Sequence, residues 1–206
     1  MIVDEFLAEK LRTNNPELIA AGIRCMKYFS YAKGEVIVKT GEPISMYRFL
    51  AKEGLVRFIY HTVKGKEITE CVVSQVGNCI MPSAVLDKPS PIDMEALTDV
   101  GIIAFPIDAV RNLEEQYPEV LRMENEALTE CWREQWEMKR VRYEYDAKKR
   151  YLWFCRTHPG AADRMMNMGE AQSNAVPPHF AFRWYWQRKI KLHQPHRRKC
   201  APCAHQ

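Results

Sequence analysis

Between Met26 and Phe105 short apolar runs alternate with turn residues at intervals that suit strands folding back on one another. The runs are Met26 to Ala32, Val36 to Lys39, Met46 to Ala51, Leu55 to Thr62, Ile68 to Ser74, Met94 to Leu97 and Gly101 to Phe105. They are separated by Lys33-Gly34-Glu35, Gly41-Glu42-Pro43, Glu53-Gly54, Lys64-Gly65-Lys66 and Gly77-Asn78, so five of the nine glycines punctuate this segment. Glycine suits such turns because, lacking Cβ, it reaches positive φ without steric cost. The pattern predicts an antiparallel β-roll.

Helical spacing flanks the roll. Phe6 to Leu11 and Pro16 to Cys25 predict two short helices, the second opened by Asn15-Pro16-Glu17, a capping side chain before a first-turn proline. After the last strand Ile107, Val110, Leu113 and Tyr117 recur at helical intervals, and Pro118 opens a longer helix. Within Glu119 to Tyr145, residues Leu121, Leu128, Cys131, Met138 and Tyr145 follow a spacing near 3.5, the pattern of helices that pair side by side. Gln135 and Arg142 in the same seam leave open a single amphipathic helix lying on its own roll. Asp146 can cap a further helix, Ala147 to His158, with an apolar face of Tyr151, Leu152, Phe154 and Cys155, ended by Pro159-Gly160. The fold class read from this is α+β.

The order Lys33-Gly34-Glu35-Val36-Ile37, Gly41-Glu42, Met46-Tyr47-Arg48-Phe49-Leu50, Gly54-Leu55-Val56, Gly65-Lys66-Glu67 and Gly77, followed by Ala104-Phe105-Pro106 and a long helix, resembles the cyclic-AMP receptor and FNR (Crp/Fnr) family of transcription regulators. The resemblance covers roughly residues 5 to 158; an unrelated jelly roll such as a cupin uses glycine turns for the same reason. It implies a cyclic-nucleotide-binding-like β-roll (a double-stranded β-helix) over residues 1–117, a dimerisation helix over 118–145, and the remnant of a DNA-binding domain over 146–206. The dimer residues are then Leu121, Leu128, Cys131 and Met138. In cyclic-nucleotide binders of this fold a short helix N-terminus holds the phosphate, a glutamate the ribose and an arginine the phosphate charge. The glutamate position falls near Pro82 and the arginine-serine pair near Ile92-Asp93. None of these can do the family's work, so cyclic AMP is not the expected effector. Met81, Pro82, Ser83, Ile92 and Asp93 remain candidates for a pocket that takes an unknown small molecule, with a plain loop over the end of the roll as the alternative.

Composition limits the rest. The chain has 206 residues and 47% hydrophobic composition, with no apolar run of membrane-span length and no secretory pattern at Met1-Ile2-Val3-Asp4-Glu5, which points to the cytoplasm. Of seven cysteines, only Cys25 lies near the N-terminus, where FNR-like iron-sulfur ligands would be grouped, so neither a cluster nor a disulfide framework is expected. No phosphate loop, nucleophile elbow or HExxH is present, and no enzyme is expected. Carboxylates such as Glu114-Glu115 and Glu124-Glu126 read as solvated helix faces.

Charge is divided unevenly. No acid follows Glu170, whereas Arg183, Arg188, Lys189, Lys191, Arg197, Arg198 and Lys199 do, so the net +4 conceals −3 before this point and +7 after it. The family's helix-turn-helix is not recognisable there: Ala161 to Met168 reads as helical, Gly169 to Val176 is polar, and Pro177-Pro178 forbids helix. Such a break resembles either translation in a shifted frame or a genuine basic tail. Its seven cations, interleaved with Phe180, Phe182, Trp184, Tyr185 and Trp186, suit phosphates and exposed bases without reading a sequence. His193, His196, Cys200 and Cys203 have zinc-like spacing but no framework to pack beneath them, and no metal or cofactor is expected. The sequence thus describes a Crp/Fnr-type regulator, homodimeric and DNA-directed by family, with an unusual effector pocket and impaired DNA binding. The alternative is a dimeric sensing or interaction module without sequence-specific DNA binding.

Overall fold

A computed structural model of the chain describes residues 6–9, 12–86 and 88–161. Seven strands, β1 (Lys27–Tyr31), β2 (Val36–Val38), β3 (Met46–Leu50), β4 (Val56–His61), β5 (Glu67–Val73), β6 (Asp93–Ala96) and β7 (Val100–Pro106), form an antiparallel roll. They divide into a three-stranded sheet, β1-β7-β3, and a four-stranded one, β2-β6-β4-β5. Every run singled out in the sequence becomes a strand, to within a residue or two at its ends. Two glycines show why. Gly65, at φ +73°, closes the β4–β5 hairpin with its N–H donating to Thr62 O at 2.8 Å. At Gly54 a Cβ would lie 2.5 Å from Val100 Cγ1 and 2.9 Å from Asp99 O, so the turn between β6 and β7 can approach only a residue without one.

Helices cover the roll. Residues 6–9 are helical, and α1 (Pro16–Cys25) is capped by Asn15 Oδ1, which accepts from the N–H groups of Glu17 at 3.0 Å and Leu18 at 3.4 Å. After β7 come α2 (Ile107–Gln116), the 27-residue α3 (Pro118–Glu144) and α4 (Ala147–Thr157). Asp146 caps α4 through Lys149 N–H at 2.8 Å.

Three apolar clusters hold these parts together. Inside the roll Val56, Phe58, Ile80, Met94, Ala96 and Ile102 pack between the sheets. On the outer face of β3 and β7, Phe49, Ile103 and Phe105 meet Phe6 and Leu7, Leu18 of α1, Val110 of α2 and Val120 of α3. Phe6, Phe49 and Phe105 meet edge to face, with centroids 5.7 and 6.1 Å apart. The third cluster joins Leu55, Val72 and Leu97 of the roll to Val141 of α3, to Tyr151, Trp153 and Phe154 of α4, and to Ala161.

The third cluster differs from the sequence expectation in one respect. Leu152, placed on the apolar face of α4, is 54% exposed, and Trp153 is buried in its stead. The helix turns so that its indole N–H can donate to Glu137 Oε1 at 3.0 Å. Gln75 Nε2 donates to Thr157 O at 2.9 Å, and Arg142 donates to both Glu70 Oε1 and Glu70 O. Residues 147–161 therefore belong to the same folded body as the roll.

Asp93 fastens the four-stranded sheet from outside. Its carboxylate accepts the N–H and hydroxyl of Thr40, both at 2.6 Å, and pairs with His61 Nε2 at 2.7 Å, tying the ends of β2, β4 and β6 together. Partial burial opposes its charge, but the hydrogen bonds from Thr40 and His61 outweigh this and hold the carboxyl below its ordinary range.

Two outcomes follow. Phe154, with 1% exposure, anchors α4 in the core; Phe154→Ala is expected to cost about 3–5 kcal/mol, seen as an earlier single transition in urea, whereas an unchanged midpoint for the roll would show that α4 does not contribute to its stability. For Asp93 the folded-state pKa lies below the unfolded one, so its stabilisation is complete above about pH 4 and is lost as pH falls through the folded value. Asp93→Asn is accordingly expected to be less stable at neutral pH, with the gap to wild type closing in acid; urea midpoints across that range check it, and a gap independent of pH would point to a steric cause instead.

Candidate effector cavity

The long helix does not lie flush on the roll. Between them is a cavity of about 840 Å³, within the ordinary size range of small-molecule sites. Its roll wall is Phe49, Phe58, Cys71, Val73 and Phe105; its helical wall is Met123, Ala127, Leu128, Cys131 and Met138 of α3, with Trp153 and His158 at the α4 end. The segment after β5 closes one side with Met81, Pro82, Ser83 and Ile92.

Four of the five sequence candidates thus come together at the cavity. Asp93 does not join them: it begins β6, where the alternation of the strand sends its side chain to the opposite face from Met94, toward Thr40 and His61. The loop is pinned by its backbone, with Ser90 N–H donating to Glu42 O and Gly41 N–H to Ser90 O, both at 2.8 Å. Ser83 Oγ accepts Val85 N–H at 3.0 Å, a local turn. Among the described residues of 81–92 there is no helix, and no lysine or arginine of this stretch lines the cavity.

The dimer candidates divide. Leu121 and Leu128 are each 46% exposed, and Cys131 is exposed at the cavity's edge, but Met138 packs inward against the cluster of Val141 and Phe154. A straight α-helix turns about 100° per residue, so a seam spaced at 3.5 drifts round it by about 20° per heptad. With the three-residue step from Leu128 to Cys131 adding about 60°, Cys131 and Met138 lie about 80° to 100° round from Leu121, on the side of the roll. The stripe left outward is instead Leu121, Trp132, Trp136 and Tyr143, with Leu128 at its edge because it also borders the cavity; the two tryptophans and Tyr143 are 64%, 56% and 86% exposed. Lys139 Nζ sits 5.1 Å above the ring of Trp136 and 5.9 Å above that of Trp132. The four-residue steps Leu128, Trp132, Trp136 are the signal of this stripe in the sequence, and a heptad spacing does not contain them.

The carboxylates of α2 and α3 are also not all simple solvated faces. Glu124 accepts the hydroxyl of Tyr47, whose ionisation is pushed up first by burial and then by this hydrogen bond. Glu114 is raised by burial and by the charge of Glu124 beside it. Along the cavity Glu70 pairs with Arg142 at 2.8 Å, Glu130 with Arg133, and Glu137 with the Trp153 indole. Glu134 is raised by desolvation and by Glu130 and Glu137, against a lowering by Arg133. Burial and the charge of Glu70 push the Cys71 thiol up to about 12, so it stays protonated. His158, stacked on Phe154 at 4.7 Å, is lowered by burial and stays neutral at physiological pH. Among the described residues no cluster of three His, Cys, Asp or Glu side chains could hold a metal ion. The basic candidates Arg183, Arg188, Lys189, Lys191, Arg197, Arg198 and Lys199, and the segment in which a helix-turn-helix is expected by family, lie outside the described residues.

Comparison with known proteins agrees with this architecture. The family described as "Cyclic nucleotide-binding domain" matches residues 28–117. Among solved structures, a cyclic nucleotide-binding domain from Methylobacillus flagellatus is similar with a TM-score of 0.59 at 16% identity, over 69% of this chain and 85% of that one. A putative cyclic nucleotide binding protein from Ruegeria pomeroyi gives 0.57 at 16% identity, over 91% and 87%. The catabolite activator protein of Thermus thermophilus gives 0.52 at 16% identity, over 88% and 87%. At such identities these likenesses concern the fold. No curated protein matches the sequence significantly. Residues 28–117 thus match the family described as a cyclic nucleotide-binding domain, and the chain shares the fold of these solved structures.

Proposed function

We propose that this chain is the sensor part of a homodimeric Crp/Fnr-type transcriptional regulator whose effector is a small molecule other than a cyclic nucleotide. The observation that carries this is the cavity between roll and α3, sized for a ligand and lined by Pro82 and Ile92, near which the resemblance puts the family's ribose acceptor and phosphate cation. The helix N-terminus that would hold a phosphate is also missing among the described residues of the loop. A ligand there touches α3 and α4 at once, which gives binding a route to the chain beyond Ala161 and its basic residues. The polar and proline-rich pattern after Pro159 favours a second reading, a sensing module that binds DNA only through charge.

Dimerisation in this reading uses the outward stripe of α3, which runs about 33 Å from Leu121 to Tyr143. Two indoles at its centre have the character of interface hot spots. Light scattering is expected to give about twice the chain mass of 24.1 kDa, and Trp132→Glu to return it to the monomer, whereas Met138→Glu should unfold the protein before it splits it. A wild-type chain that remains monomeric at micromolar concentration would contradict the assignment. Calorimetric titration with cyclic AMP is expected to show no binding at micromolar ligand; micromolar affinity would mean that neither Pro82 nor Ile92 excludes the nucleotide.

A further inference from the structure

Resting on the reading of the cavity as the effector site, we propose that its ligand is an organic cation, with an apolar body held between the roll and α3 and a positive head at the mouth beside Glu134. The cavity itself is the ground for a ligand; its chemistry decides the class. The inner walls are apolar and aromatic, with Phe49, Phe58, Phe105, Met81, Ile92 and Met123 offering contact to rings or chains. The charged groups on the lining are five carboxylates, Glu70, Glu124, Glu130, Glu134 and Glu137, against two guanidinium groups, Arg133 and Arg156. An anion would enter against that balance, and a cation with it.

Four of the five acids are already engaged. Glu70 holds Arg142, Glu124 takes the Tyr47 hydroxyl, Glu130 pairs with Arg133, and Glu137 accepts from Trp153. Glu134 alone of the five has neither an ion pair nor a hydrogen bond among the described residues. It lies one helical turn from both Glu130 and Glu137, on the solvent side of the cavity wall. Arg133 cannot neutralise it fully because Glu130 occupies its Nη2. Burial and two like charges raise the Glu134 carboxyl, and a ligand cation would relieve that cost by pairing with it. Arg156, the other guanidinium, stands on the exposed face of α4. Aromatic faces inside the cavity add attraction for a cation over a neutral molecule of the same shape.

Tetraphenylphosphonium and tetraphenylborate have the same shape and opposite charge, which makes them suitable probes. With the full chain, quenching of tryptophan fluorescence and the thermal midpoint are followed as each is added. Phosphonium is expected to bind and raise the midpoint, borate to bind at least tenfold more weakly, and Glu134→Gln to weaken phosphonium by up to about fivefold, the range of an exposed ion pair. Ala127→Trp fills the cavity from α3 and should abolish binding; Ser83→Trp does so from the opposite wall if the first variant fails to fold. Borate binding as well as phosphonium, with both lost on filling the cavity, would overturn the cation assignment and leave the effector site standing. An unchanged phosphonium affinity in Glu134→Gln would overturn it in the same way. If neither ion binds, or binding survives both filled variants, the effector site itself falls and the cation with it.

Discussion

A roll of seven short strands with apolar side chains on both faces cannot stand in water alone, and the rest of this structure follows from that constraint. Phe49, Ile103 and Phe105 face outward from one sheet, and Leu55, Val72 and Leu97 are buried by what lies outside the roll. Each buried side chain of this size contributes about 1.5–3 kcal/mol, so two uncovered patches would remove most of a domain's margin. The first patch is covered by residues 6–9, α1, α2 and the start of α3, the second by the end of α3 and by α4. Because α3 must reach from one patch to the other, it bridges the space between them, and the cavity is the part of that span it does not fill.

The strands were legible because each is bounded by glycine turns and its apolar run has strand length; Gly54 and Gly65 are required where the sequence places them. The helices were legible for the same reason at their starts, where Asn15 and Asp146 cap. What a helix faces was harder to read. Spacing near 3.5 and near 3.6 differ little over two turns but have diverged by about 50° at Met138, which with the seam's three-residue step puts it about 100° round from Leu121, and only the packing of Val141 and Phe154 shows which side is inward. Leu152 and Trp153 exchanged roles for a similar reason: hydrophobicity ranks them alike, while a hydrogen bond to Glu137 favours the indole inside.

The site was legible in what it lacks and less so in what it has. Pro82 and Ile92 line the cavity, but Asp93 is taken by Thr40 and His61, contacts some fifty and thirty residues away in sequence that no local pattern reveals. Glutamates that look like ordinary solvated positions on an isolated helix acquire partners or lose water once the roll is beside them. Tyr47 reaching Glu124 is one case; Glu134 at the cavity mouth is another.

Ala161 has no exposed surface and sits in the same cluster as Leu55 and Phe154. The described part of the chain therefore ends at a fixed point in the folded body. A loose tether would absorb a small displacement of α4 in its own fluctuations. An anchored exit works as a lever on a bearing: a tilt of the helix is handed on as a change of direction, and its effect grows with the length of whatever the lever carries.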